Sequence, residues 1–170
     1  YEMDSVLQAK SWPVYSPATI ALQGSELAPV AQLLRNDLRV CLGCGTYSSS
    51  LIGAMQMAYL MHRHAWDPAR QLSVRQMKRM AFENNAAMAS TIFRDRLGTF
   101  MVGNAADVVF LDRPPVDILD GVSPFEDLIL QVGEIHVDTT IVDGQVLMRH
   151  GELLTLDEET IVARARERDC

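Results

Sequence analysis

The residues of this chain that could do chemistry crowd into one stretch, Val40-Cys41-Leu42-Gly43-Cys44-Gly45-Thr46-Tyr47-Ser48-Ser49-Ser50. Cys41 and Cys44 could form a dithiol or half a zinc site, because that spacing lets two sulfurs converge and a following helix N-terminus lowers a thiol pKa. Ser48, Ser49 and Ser50 could supply a nucleophile or an anion site, since unpaired N–H groups at a helix start attract negative charge. His62-x-His64 is a further pair of metal-ligating type. Each pair has a plainer reading. Cys41 falls within an apolar strand, where a free cysteine behaves as a small hydrophobe, and a zinc pair needs a second pair that the sequence does not offer. No histidine is near the serines in sequence and no glycine-x-serine-x-glycine elbow is present, so N-capping is expected of them. On a helix, residues two apart point about 200° from each other. The histidines therefore read as partly exposed helix-end residues favoured by the negative C-terminal dipole.

The elements that must position this stretch follow from periodicity and punctuation. Met3, Val6 and Leu7 recur at helical spacing over residues 2–9, and Trp12-Pro13-Val14-Tyr15 is extended by the restriction on a residue preceding proline. Residues 16–24 read as an irregular loop. A helix with proline in its first turn is expected over residues 28–34, ended by Asn36 and Asp37, and residues 39–42 read as a short buried strand of a parallel sheet. The serines then cap a helix from Leu51 to about His64, with Leu51, Ala54, Met55, Ala58 and Met61 on one stripe. Asp67-Pro68 breaks it. Ser73-Val74-Arg75-Gln76 is a capping box that opens a long helix to Phe93, with Met77, Met80, Ala81, Ala87 and Met88 near one face.

The pattern changes after Gly98. An apolar strand is expected over residues 107–111 and a stiff break at Pro114-Pro115. A proline-started helix follows from Ser123 to about Gln131, with Ser123 and Glu126 as its capping box. Asp143-Gly144 between residues 139–142 and 145–148 is a two-residue hairpin of the primed type. Residues 155–158 cap a final charged helix. The fold class expected is α/β, with a βαβα portion over residues 1–97 and a small antiparallel β region with flanking helices over residues 98–170.

At 170 residues, 48% of them apolar and 22% charged, the chain can build one real core without metals or disulfides. A net charge of −7 argues against a nucleic-acid footprint. Three cysteines, one at the very end, do not make the framework of a secreted disulfide scaffold. No apolar run approaches the roughly 20 residues that span a bilayer. A cytoplasmic location with no nucleic-acid or membrane partner is expected. Position 1 is Tyr rather than Met, and the first residues already read as helix, so the chain is expected to be a fragment or a processed piece.

Several stretches, in this order, resemble the C-terminal part of the amidohydrolase superfamily, specifically its cytosine/guanine deaminase and chlorohydrolase-like aminohydrolases. They are Ser16-Pro17 through Gly24 to Ala28-Pro29-Val30; Phe82-Glu83-Asn84-Asn85-Ala86 with Ala89-Ser90; Leu97-Gly98-Thr99 with Gly103-Asn104-Ala105-Ala106-Asp107-Val108-Val109; and Val142-Asp143-Gly144-Gln145-Val146 with Gly151-Glu152-Leu153. The resemblance implies that residues 1–97 are the last βα units of a (β/α)8 metal-dependent-hydrolase barrel and that residues 98–170 belong to a β-sandwich beside it. It also implies that Asn84 and Asn85 join barrel helix to sandwich; Asp107, at the head of a strand whose other residues are apolar, reads from its own place as a hydrogen-bonded structural carboxylate rather than a catalytic one.

Members of that branch activate water on zinc or iron held by histidines and by an aspartate at the end of the last strand. The histidine positions would lie upstream of Tyr1. The aspartate belongs to a glycine-threonine-aspartate-glycine element that aligns with Gly43-Cys44-Gly45-Thr46, so Gly45 stands in the carboxylate's place. Glycine supplies neither ligand nor base. No catalytic residue, metal ligand or cofactor is therefore expected in this chain, and Cys44, Thr46 and Ser48 remain as barrel-mouth residues. The resemblance points to an aminohydrolase acting on C–N bonds of cyclic amidines or related small molecules, present here as an inactive fragment or degenerate copy. Two alternatives accompany it: a split enzyme completed by an N-terminal barrel chain, or an interaction module that self-associates. The substrate is not readable from these residues.

Overall fold

The computed structural model describes residues 5, 6, 8, 9, 11–46, 49–93, 96–112, 123–130 and 135–168. The expected first helix lies mostly outside them. Strand β1 (Val14–Tyr15) and strand β2 (Cys41–Leu42) pair in parallel, Val14 with Cys41 and Tyr15 with Leu42. Between them run helices α1 (Pro17–Leu22) and α2 (Val30–Arg35). Helix α1 corrects the loop expected at residues 16–24. Pro17 stands at the first helical position, where its fixed φ suits the helix and its missing N–H would have had no partner. Helix α2 ends as expected, with Asn36 at its C-cap and Asp37 at φ +58°.

Helix α3 (Leu51–Arg63) begins where Ser50 Oγ accepts the Gly53 N–H at 3.0 Å. It buries Ala54, Met55 and Ala58 of the expected stripe. The Ser73 capping box is present, and it opens helix α4 (Val74–Lys78), which passes through a π-helical turn (Arg79–Asn84) into helix α5 (Asn85–Phe93). The stripe of Met77, Met80 and Ala81 is buried as read from the sequence, but Ala87 is exposed. An i→i+5 turn adds a residue to the register, so the apolar phase set before it is shifted after it. Helix α6 (Pro124–Leu130) starts at its own capping box, Ser123 N–H to Glu126 Oε2 at 3.1 Å and Glu126 N–H to Ser123 Oγ at 3.2 Å.

These elements form one compact unit, with Tyr15, Val30, Leu34, Val40, Leu42, Met55, Met77, Met80 and Ile129 in its core. Placing α6 here corrects the boundary drawn from sequence, which gave everything after residue 97 to the β region. The physical reason is Ile129, fully buried in this core, and Phe125, edge-on to Phe82 at 5.6 Å between ring centroids.

The second unit is an antiparallel sheet in the order β3 (Val108–Asp112), β4 (His136–Val142), β5 (Gln145–Arg149) and β6 (Glu152–Leu153), followed by helix α7 (Glu158–Arg168). The β4–β5 turn is of the expected primed type, with φ +49° at Asp143 and +78° at Gly144. Its tip is tied to the start of β3: Asp107 Oδ1 accepts the Asp143 N–H at 2.8 Å, and the Ala106 carbonyl accepts the Gly144 N–H at 3.0 Å. Asp107 is thus the structural carboxylate expected. No helix of the described residues is long and apolar enough to cross a membrane.

Candidate functional site

Strand β2 carries the chemistry-bearing stretch, and it is held on both edges. On one edge Cys41 N–H donates to the Pro13 carbonyl and Gly43 N–H to the Tyr15 carbonyl, each at 2.8 Å. A parallel strand alternates the direction of its backbone groups, so Val40 and Leu42 face the other way. There the partners are side chains. Asn84 Nδ2 donates to the Val40 carbonyl at 2.7 Å, and the Asn85 amide takes both groups of Leu42, donating to its carbonyl at 2.9 Å and accepting its N–H at 3.0 Å. The asparagines therefore clasp β2. Consecutive residues on a regular helix point about 100° apart, and the π turn ending at Asn84 accompanies the turning of both amides toward one strand. The signal was visible in the sequence: two poor helix formers beside the apolar stripe of a helix.

Beyond Leu42 the chain turns sharply. Gly45 adopts φ +71°, a left-handed conformation that favours glycine. A β-carbon at Gly43 would lie 2.7 Å from Val14 Cγ1 and 3.0 Å from Ser16 Oγ, so the turn presses closely on the end of β1.

Cys41 and Cys44 are both free thiols. Cys41 is buried, with Sγ 3.8 Å from Met88 Sδ, and burial pushes its thiol pKa up, away from the thiolate that redox or metal chemistry needs. Cys44 is half-buried against the core and Thr46 is exposed. Ser48 lies outside the described residues. Ser50 serves as the helix cap.

His62 departs from expectation. It is fully buried, its Nδ1 2.6 Å from the Arg70 carbonyl and its ring edge-on to Tyr15 with centroids 5.5 Å apart. Burial lowers its pKa below the ordinary histidine value, and the same burial pushes the Tyr15 hydroxyl up to about 12. Position 62 continues the i, i+4 series of Ala54 and Ala58 onto the inward face, and this periodicity outweighs the attraction of the helix C-terminus for an exposed imidazole. His64 is exposed, so the two imidazoles point apart, as their spacing on a helix requires.

No known family profile matches the chain. A 5-methylthioadenosine/S-adenosylhomocysteine deaminase of Desulforudis audaxviator is 30% identical over 155 residues, 89% of this chain and 36% of that relative. A 5'-deoxyadenosine deaminase of Methanobrevibacter smithii is 28% identical over 168 residues, 90% of this chain and 36% of that relative. Among solved structures, the atrazine chlorohydrolase from Arthrobacter aurescens complexed with zinc matches with a TM-score of 0.78 at 26% identity, over 98% of this chain and 37% of that one. The chain belongs to the amidohydrolase superfamily. It corresponds to the C-terminal part of these proteins and spans little more than a third of the length of the curated relatives it matches, 36% in both cases.

Zinc accompanies that solved amidohydrolase, which makes the donor set of this chain decisive. The described residues do not bring together a donor set that fits a metal. Gly45, at the end of β2, carries no donor, and among the described residues no three His, Cys, Asp or Glu side chains gather within reach of one ion.

Proposed function

We propose that these residues form the C-terminal portion of a deaminase-type aminohydrolase, with the unit around β1 and β2, α6 included, as the last βα units of its barrel and the unit around β3 to β6 as part of its β-sandwich. In this reading the chain has no metal-dependent hydrolysis of its own. The substrate class is a small cyclic amidine, and the adenosine-type compounds named for the relatives are the natural first probes. Hydrolytic deamination at an aromatic C–N bond needs water activated to a pKa of about 7 by a metal, together with a group that takes its proton. The observation that carries the reading is Gly45, which offers neither at the aligned position.

Ammonia release from 5'-deoxyadenosine by the purified chain in zinc-supplemented buffer tests this. No release above the buffer control is expected, and multiple turnovers would overturn it.

A second reading, a split enzyme completed by a separate N-terminal chain, is favoured by the parallel pair itself. Two strands of two residues each are too small to stand as a sheet. The asparagine clasp occupies the outer edge of β2, so a further strand would have to join at β1. Co-purification of a partner would support this reading, and a chain that folds and stays monomeric alone counts against it.

A further inference from the structure

We infer that the end of β2 is built around glycine at position 45, and that Thr19 closes it against the carboxylate the superfamily places there. This rests on the reading that aligns Gly45 with the metal-binding aspartate. A β-carbon added to the backbone of Gly45 would overlap Thr19 Oγ1, and it would lie 3.3 Å from Ser16 Cβ and 3.4 Å from Thr19 Cβ. The overlap with Oγ1 decides the matter, because the two carbon contacts are tight or ordinary while no atom can share the hydroxyl's volume.

Thr19 can yield only by turning about its single χ1 torsion. It sits on α1 just after Pro17 and Ala18, which are both buried, and its Oγ1 is enclosed without a hydrogen-bond partner. An aspartate at position 45 would therefore meet this hydroxyl before its carboxylate could reach any ion, and it would also carry the strain of a φ of +71°. The ligand cannot be restored by Gly45→Asp alone. Thr19 must lose its hydroxyl as well, so the two positions are a matched pair.

The test is a double-mutant cycle on the full chain, read by thermal unfolding, with alanine at position 45 to supply the β-carbon without charge. Gly45→Ala is expected to lower Tm by about 5 °C or more. Thr19→Ala, which removes an unpartnered buried hydroxyl, is expected to shift it by about 2 °C or less. The double variant should recover at least half of the loss, the rest reflecting the positive φ. If Gly45→Ala is insoluble, recovery of soluble protein in the double variant is the same result. A tolerated Gly45→Ala, or a loss that Thr19→Ala does not relieve, overturns the proposal. Stoichiometric zinc in the unmodified chain would instead overturn the alignment on which it rests, so the two failures are distinguishable.

Discussion

The unit around β1 and β2 and the unit around β3 to β6 are stabilised by different means. In the first, the strands are two residues long and their position is fixed by what surrounds them: a core of methionine, leucine and valine on one side, and the Asn84–Asn85 clasp on an edge. In the second, no residue of the four strands is buried, and order comes from backbone ladders, the Asp143-Gly144 turn and the Asp107 tie. A strand held by side chains fails when a side chain is removed. A strand held by its ladder tolerates that loss.

The largest expected effect exploits this contrast. Met80→Ala in the first unit empties a fully buried site and should lower unfolding free energy by about 2–5 kcal/mol, whereas Phe110→Ala on β3, already half exposed, should cost less than about 1 kcal/mol. Urea unfolding of the two variants checks the ordering, and equal losses would erase the distinction between the units.

Next in size is the clasp. Asn84→Ala leaves the Val40 carbonyl without its side-chain donor inside the core, with an expected loss of about 1–3 kcal/mol. Faster amide exchange at Leu42, the neighbouring clasped position, would accompany it. A variant as stable as the parent would show that the clasp adds nothing beyond packing.

The smallest effect concerns His62. Its folded pKa lies below the unfolded value of 6.5, so the neutral form is the one the fold accommodates. That contribution is complete above pH 6.5 and is lost as pH falls toward the folded pKa, because the unfolded chain takes up a proton that the folded chain does not. The slope is at most about 1.4 kcal/mol per pH unit. Unfolding midpoints between pH 7.5 and 5 should decline, and His62→Gln should flatten that decline; an identical decline in the variant would assign it to other groups.

The same contrast explains what the sequence disclosed. The second unit was legible because turn chemistry is local: Asp143-Gly144 determines a few bonds within four residues, as the Ser123 capping box does in the first unit. The long helix from Ser73 and the stripe of α3 were legible by period. Three features were not. Helix α1 was hidden because Ser16-Pro17 serves a loop and a helix start equally well. The burial of His62 was visible in the period, against the pull of the helix dipole toward exposure, and the π turn carries no sequence marker of its own. At the site itself, the plain reading of Cys41 held, Ser48 lies outside the described residues, and the closeness of Thr19 to Gly45 arises from a contact between α1 and the end of β2 that no spacing encodes.

The proposed absence of a metal site follows from Gly45, which carries no carboxylate. Its most direct test is the zinc content of the purified chain, measured by mass spectrometry after dialysis against zinc and then against buffer. Well under one zinc per chain is the predicted result, and one tightly held zinc per chain would contradict it.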